Sequence, residues 1–344
     1  MTREAACYIL VVAYFCAKIS AGSGWLKIVI LESYVINPGD ISWEKLAELG
    51  DLTVYDHTPK ELTPERIRDA DIVLAGKIEF TPALMDECKN LKYICELATG
   101  YNNIDVKAAS ERGIAVSNIP AYSTPSVVQH TFALLLELCI HTGQHSAGVM
   151  AGKWNNCRDF CYWETPLTEL YGKTLGIIGY GQIGKAVAQV AVCFGMKVLA
   201  CAAHPRNGSG VEGVTMAAIE DILSQSDVIS LHCPLTQENE KLIRKETIAK
   251  MRDGAIIVNT ARGGLVNEQD ALDALISGKL GGFAADTLSR EPPTDGSPLF
   301  EAPNCVITPH LGWAPIESRR RLIETATENV RSFIDGHPQN IVNQ

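Results

Sequence analysis

Basic clusters, low-complexity tracts, heptads and internal repeats are all missing from this 344-residue chain. Its formal charge of −10, unopposed by any Lys/Arg block longer than Arg319-Arg320-Arg321, excludes a nucleic-acid surface, which needs dense positive charge. The apolar run from Cys7 to Ala17 behind Arg3 imitates a signal peptide, but Lys18 cuts it and it is too short to span a bilayer. Residues 1–26 are therefore expected to be a disordered extension of a cytoplasmic protein without membrane contact, and folded sequence to begin at Lys27. Cys-x-x-Cys is absent too. The eleven cysteines are odd in number and scattered through apolar stretches, as at Cys139, Cys193, Cys201 and Cys233. That pattern fits free thiols in a reducing compartment, not a disulfide framework. Cys157 and Cys161 have no second pair, and His141 and His145 no acidic partner, so no metal site is expected.

What is present is a globular composition, 46% hydrophobic and 20% charged, in a chain long enough for two domains. Short β-branched runs, Ile28–Leu31, Leu52–Tyr55, Ile72–Leu74, Tyr93–Glu96 and Ala115–Ser117, alternate with amphipathic stretches. This is the pattern of a parallel sheet with helices on both faces. Thr63-Pro64 and Thr81-Pro82 supply helix starts, and a long apolar helix is expected after Thr124-Pro125. A second series runs through Thr174–Ile178, Lys197–Cys201, Val228–His232, Ala255–Asn259, Gly282–Asp286 and Val306–Thr308. A C-terminal helix over Pro315–Ile334 follows it. The fold class is α/β, with two doubly wound parallel sheets.

Gly179-Tyr180-Gly181-Gln182-Ile183-Gly184 is a G-x-G-x-x-G directly after an apolar strand, opening a helix expected over Lys185–Phe194. That context predicts dinucleotide binding: the first glycine for the turn, the second for approach of the pyrophosphate, the third for helix–strand contact. A plain strand–helix turn is the competing reading. The next strand ends Cys201-Ala202-Ala203-His204-Pro205-Arg206, without the acid that usually meets the ribose hydroxyls. His204 and Arg206 would neutralise a 2′-phosphate, so the cofactor is NAD or NADP, with NADP slightly favoured.

Three later segments each place a reactive residue type at a strand end: Thr260-Ala261-Arg262-Gly263, Asp286 through Glu291, and Thr308-Pro309-His310-Leu311-Gly312. Reduction of a 2-keto acid needs a cation for the carboxylate, an acid for the developing alkoxide, and a group orienting that acid. Arg, His and Glu fill those roles, Arg by bidentate geometry.

With these segments, Ala98-Thr99-Gly100-Tyr101-Asn102-Asn103-Ile104-Asp105 and Tyr122-Ser123-Thr124-Pro125-Ser126-Val127, the chain resembles the D-isomer-specific 2-hydroxyacid dehydrogenases over Lys27–Asn343, most of all their glycerate dehydrogenase (hydroxypyruvate reductase) branch. The resemblance implies that Arg262 binds and polarises substrate, His310 donates the proton, and Glu291 bonds His310 and raises its pKa. It implies that Asp286 holds the nicotinamide carboxamide and that Thr99 and Gly100 help grip the carboxylate. Cofactor contacts would come from Gly179, Gly181, Gln182, Ile183, Gly184, Cys233, Pro234, Thr260, Ala261, Arg262, Asp286, His310 and Gly312.

The resemblance further implies a discontinuous, flavodoxin-like substrate domain of residues 27–124 and 311–344, a Rossmann domain of 125–310, and a homodimer. Ala202 departs from the Asp of most NAD-using members and leaves the cofactor open. Pro309 resembles the hydroxyacid enzymes, since formate dehydrogenases carry Gln there. Hydroxypyruvate leads as substrate, then glyoxylate, with D-lactate or D-3-phosphoglycerate chemistry as alternatives. A dinucleotide-sensing regulator of the same fold is the non-enzymatic alternative.

Overall fold

A computed structural model describes residues 25–203 and 208–343. The expected extension of 1–26 falls outside the described residues except for its last two. The chain divides into two compact units: residues through Ser123 with Ile316 onward, and Thr124–Pro315. No helix among the described residues is long and apolar enough to cross a membrane.

The first unit is built on β1 (Lys27–Ile30), β2 (Asp51–Val54), β3 (Ile72–Ala75), β4 (Tyr93–Glu96) and β5 (Ala115–Ser117). They pair in parallel in the order β2-β1-β3-β4-β5. β3 and β4 are buried at every position, as strands covered on both faces must be, while edge strand β2 is largely exposed. The chain re-enters this unit as the helix Ile316–Ile334. There Phe333 stacks on Tyr93 at 4.4 Å, and Arg319 grips Asp40 bidentately at 2.6 and 2.7 Å. Ile341 then bridges antiparallel to Ser117, covering the free edge of β5.

The second unit contains β6 (Thr174–Ile178), β7 (Lys197–Cys201), β8 (Val214–Met216), β9 (Val228–Leu231), β10 (Ala255–Asn259), β11 (Leu280–Ala285) and β12 (Cys305–Ile307). Its order is β12-β11-β10-β9-β6-β7-β8, parallel throughout. The order reverses between β6 and β9, the place where doubly wound sheets bind ligands. The two doubly wound sheets expected from the sequence are thus present. β8 was not foreseen: it is a short edge strand with an exposed centre, so it lacks an apolar run. The long helix spans Thr124–Ile140, and its Phe132, Leu134, Leu135 and Leu138 join Val187, Ala188 and Ala191 in one core. Residues 311–315 stay with this second unit. The cause is local, because the Leu311 and Gly312 N–H groups both donate to Asp286 at 2.8 Å.

Candidate active site

β6 lies between β7 and β9, with Ile178 paired to both Cys201 and Leu231, so the turn after it opens at the reversal point. Gly179 has φ +102°, and a Cβ there would collide with the backbone N of Cys233. A Cβ on Gly184 would collide with the Gly179 carbonyl oxygen. Gly181 differs: among the described residues nothing lies within 4 Å of where its Cβ would be. Two of the glycines are required by the fold, and the third leaves open room beside the backbone. The helix starts at Gln182, not Lys185, and has no side-chain cap at Gly181. Its first turn, including Gln182, Ile183 and Gly184, therefore has N–H groups suited to an anion.

The groups beside this turn are neutral thiols and an imidazole, with Lys185 in the first turn of the helix, its ammonium 5.7 Å from the Tyr180 ring centroid. Burial raises the Cys233 thiol to about 11, raises Cys201, and lowers the His232 imidazole to about 4. Asn239 shapes the next loop by donating to the Pro234 carbonyl at 2.8 Å. Ala202 follows β7 directly and brings no carboxylate; His204 and Arg206 lie outside the described residues. An uncapped helix start, an open glycine and a lysine in the first helical turn fit the pyrophosphate of a dinucleotide.

β10 is buried throughout and ends in Asn259, which is 0% exposed. Its carboxamide donates to the Arg262 carbonyl at 2.9 Å and accepts from the Ala261 N–H at 3.0 Å. This clamp turns the chain through Thr260 and Ala261 and leaves Arg262 exposed, with Nη1 donating to the Ala261 carbonyl at 2.8 Å. Several other guanidinium donors exist for an anion. A Cβ on Gly263 would collide with the backbone of Leu288, so the Arg262 turn sits directly on the loop that carries Glu291. Glu268 ties that loop down, accepting from the Ser289 N–H at 2.8 Å and the Ser297 hydroxyl at 2.6 Å. Burial pushes the Glu268 carboxyl up, but these bonds outweigh it and hold it below the ordinary value.

Glu291 accepts from the Leu288 N–H at 3.1 Å through Oε1 and meets His310 Nδ1 at 2.7 Å through Oε2. A carboxylate only accepts, so Nδ1 donates and Nε2 is the ring nitrogen left for proton exchange. Both side chains are about one-third exposed, at 34%. His310 has φ +57°, the left-handed region that non-glycine residues seldom adopt.

Asp286 stands just beyond β11 and is 3% exposed. Its Oδ1 accepts from the Thr308 hydroxyl at 2.5 Å and the Leu311 N–H at 2.8 Å, and lies 3.1 Å from His130 Nε2. Its Oδ2 accepts from the Gly312 N–H at 2.8 Å. Burial pushes this carboxyl up; the bonds from His130, Thr308 and the two N–H groups more than reverse that. In the structure the Asp286 oxygens hold the turn bearing His310.

Thr99 and Gly100 belong to the first unit, after β4. The Thr99 hydroxyl donates to the Ile119 carbonyl at 2.9 Å, and its carbonyl accepts from Asn118 at 2.8 Å. Asn103 donates to the Ile78 carbonyl at 2.9 Å and to Glu96 at 3.1 Å. Glu96, the last residue of β4, is 0% exposed, and burial raises its carboxyl to about 8.

Sequence reasoning missed His130, Asn259 and Glu268. A polar residue on an apolar helix and a buried strand-end Asn were the available signals.

Residues 132–312 match the family described as D-isomer specific 2-hydroxyacid dehydrogenase, NAD binding domain. A hydroxypyruvate reductase of Blautia hydrogenotrophica is 48% identical over 322 residues, covering 93% of this chain and 100% of that protein. A glycerate dehydrogenase of Methylorubrum extorquens is 40% identical, covering 83% and 89%. The crystal structure of D-lactate dehydrogenase from Aquifex aeolicus with NAD and lactic acid superposes with TM-score 0.80 at 30% identity, covering 92% and 99%. Matching fold, glycine turn and loop chemistry place this chain in the D-isomer specific 2-hydroxyacid dehydrogenase family, oxidoreductases that act on CH–OH groups with a nicotinamide dinucleotide.

Proposed function

We propose that this protein reduces hydroxypyruvate to D-glycerate, with glyoxylate as a second substrate. The observation that supports it most is the 2.7 Å His310–Glu291 contact on a loop packed against the Arg262 turn. Arg262 binds the substrate carboxylate and draws electron density from the keto oxygen, which favours charge developing there. The glycine turn Gly179–Gly184 would hold NAD(P)H, which when bound would supply the hydride for the keto carbon. His310 gives its Nε2 proton to the resulting alkoxide, while Glu291 keeps the ring oriented and stabilises the imidazolium.

Residues 124–315 form the dinucleotide domain in this reading, and the residues through Ser123 with Ile316 onward the substrate domain, which moves the expected boundaries of 124/125 and 310/311 to those of the compact units. NADPH is slightly preferred, because Ala202 removes a carboxylate that would repel a 2′-phosphate and the nearby Cys201 and Cys233 thiols are neutral. The active form is a homodimer joined through the second unit, where Met150, Phe160, Trp163 and Tyr171 are 84%, 88%, 66% and 75% exposed. Such a run of large apolar side chains marks an interaction surface.

A matrix of hydroxypyruvate, glyoxylate and pyruvate against NADH and NADPH tests the reading, with sedimentation of the same preparation. The highest kcat/KM is expected for hydroxypyruvate with NADPH, from a dimer. A strong NADH preference removes the charge argument. Tight cofactor binding with no turnover of any keto acid makes the protein a sensor instead.

A further inference from the structure

His130, in the helix Thr124–Ile140, places Nε2 2.9 Å from the Thr308 hydroxyl and 3.1 Å from Asp286 Oδ1. The Thr308 hydroxyl spends its proton on Asp286, so toward His130 its oxygen is an acceptor. Nε2 must then carry hydrogen and donate into the Thr308–Asp286 pair. The next residue, Thr131, donates to the Val127 carbonyl at 2.8 Å within the helix. Its oxygen, 3.1 Å from the Thr260 hydroxyl, therefore receives the Thr260 proton. Two consecutive residues of one helix thus reach the two loops that end in His310 and Arg262.

The helix is a firm base, because Phe132, Leu134, Leu135 and Leu138 are buried in the core of the second unit. The His310 turn needs such a base. Its φ of +57° is costly for a non-glycine residue and persists only where the surroundings enforce it. Enforcement comes from the His310 N–H on the Thr308 carbonyl at 2.9 Å and from Leu311 and Gly312 on Asp286. Gly312 adds a steric limit, since a Cβ there would lie 3.1 Å from Asp286 Oδ2 and 3.6 Å from His130 Cδ2.

We propose that His130 is a positioning residue for proton transfer: it orients Asp286 and Thr308, which hold His310 in its working conformation, while Thr131 extends the brace to the Arg262 turn. The proposal rests on the reading of His310 as proton donor, and a His310→Ala control separates the two.

The test compares His130→Gln, whose amide nitrogen sits where Nε2 does, with His130→Asn, whose amide reaches only as far as Nδ1. Each is assayed with hydroxypyruvate and NADPH, with melting and cofactor titration as checks on folding. His130→Asn should lower kcat about 10- to 100-fold, as for a misplaced catalytic group, with keto-acid KM and cofactor Kd within about threefold. His130→Gln should keep at least about a third of kcat. Should His130→Asn not fold, Thr131→Val carries the test, with kcat lowered about threefold at unchanged KM. Equal Asn and Gln variants, unchanged turnover in both, or a loss confined to cofactor binding would overturn the proposal. Near-normal turnover in His310→Ala would instead overturn the reading of the proton donor.

Discussion

The first strand of each unit is apolar and runs into a turn beside the reversal of strand order, yet the two turns have opposite chemistry. After β1 the chain carries Glu32, whose carboxylate accepts the Lys77 N–H at 2.8 Å, and a helix of four residues, Ser33–Ile36. After β6 it carries three glycines and a helix of twelve residues, Gln182–Cys193. An anion meets a like charge at the first turn and the positive end of a helix at the second. The shared scaffold offers two crevices; the turn residues decide which one suits a dinucleotide.

Buried carboxylates repeat the contrast. Asp286 and Glu96 both stand at strand ends, 3% and 0% exposed, and burial pushes both upward. Donors from His130, Thr308, Leu311 and Gly312 bring Asp286 below its ordinary value. Glu96 has the Asn103 amide on one oxygen and, among the described residues, no partner on Oε1, with Lys77 and Glu32 acting on it in opposite senses, and stays at about 8. The number of donors, more than burial, determines which of the two is an anion at neutral pH.

Asp286→Asn should break this contrast with the largest effect. Its amide NH₂ must face at least one of the N–H or O–H donors now bound to the carboxylate. We expect a loss of about 3 kcal/mol in urea unfolding and about a hundredfold in kcat. A variant that melts with the parent would mean the donors contribute little.

The two helix-start glycines sharpen the first contrast. Gly184→Ala should cost about 2 kcal/mol, because its Cβ meets immovable backbone. Gly181→Ala should leave melting of the cofactor-free protein unchanged and raise cofactor Kd about tenfold. Equal melting losses in both would refute a ligand-side role for Gly181.

Glu96→Gln should give the smallest effect on turnover, and shows itself instead as a pH slope in stability. With its carboxyl raised from 4.5 to about 8, Glu96 contributes stability that is fully present below about 4.5 and lost as pH rises through about 8. The glutamine variant, always neutral, should gain on the parent by about 1.4 kcal/mol per pH unit across that window. Urea midpoints at pH 5, 7 and 9 measure it, and parallel slopes would refute an upward-shifted Glu96.

Much of the architecture could be read without coordinates, because strands buried on both faces appear as unbroken apolar runs and glycines punctuate the turns between them. β8 escaped for the converse reason: an exposed three-residue edge strand carries no such run. Arg262, Glu291 and His310 were legible as reactive types at strand ends, and the contact between the last two is there. His130 was not, since its partners Asp286 and Thr308 are 156 and 178 residues away and nothing nearby distinguishes it from any other polar residue on an apolar helix.

Composition and periodicity determined by themselves that the chain would bury two parallel sheets, because alternating burial demands follow from local order along the chain. Local order also placed the glycine turn at a strand end. Which glycine a ligand needs, which carboxylate is charged and what enforces the left-handed His310 were decided only in the tertiary structure. Each depends on donors or backbone brought close from distant parts of the sequence, and that proximity has no signature in the order of residues.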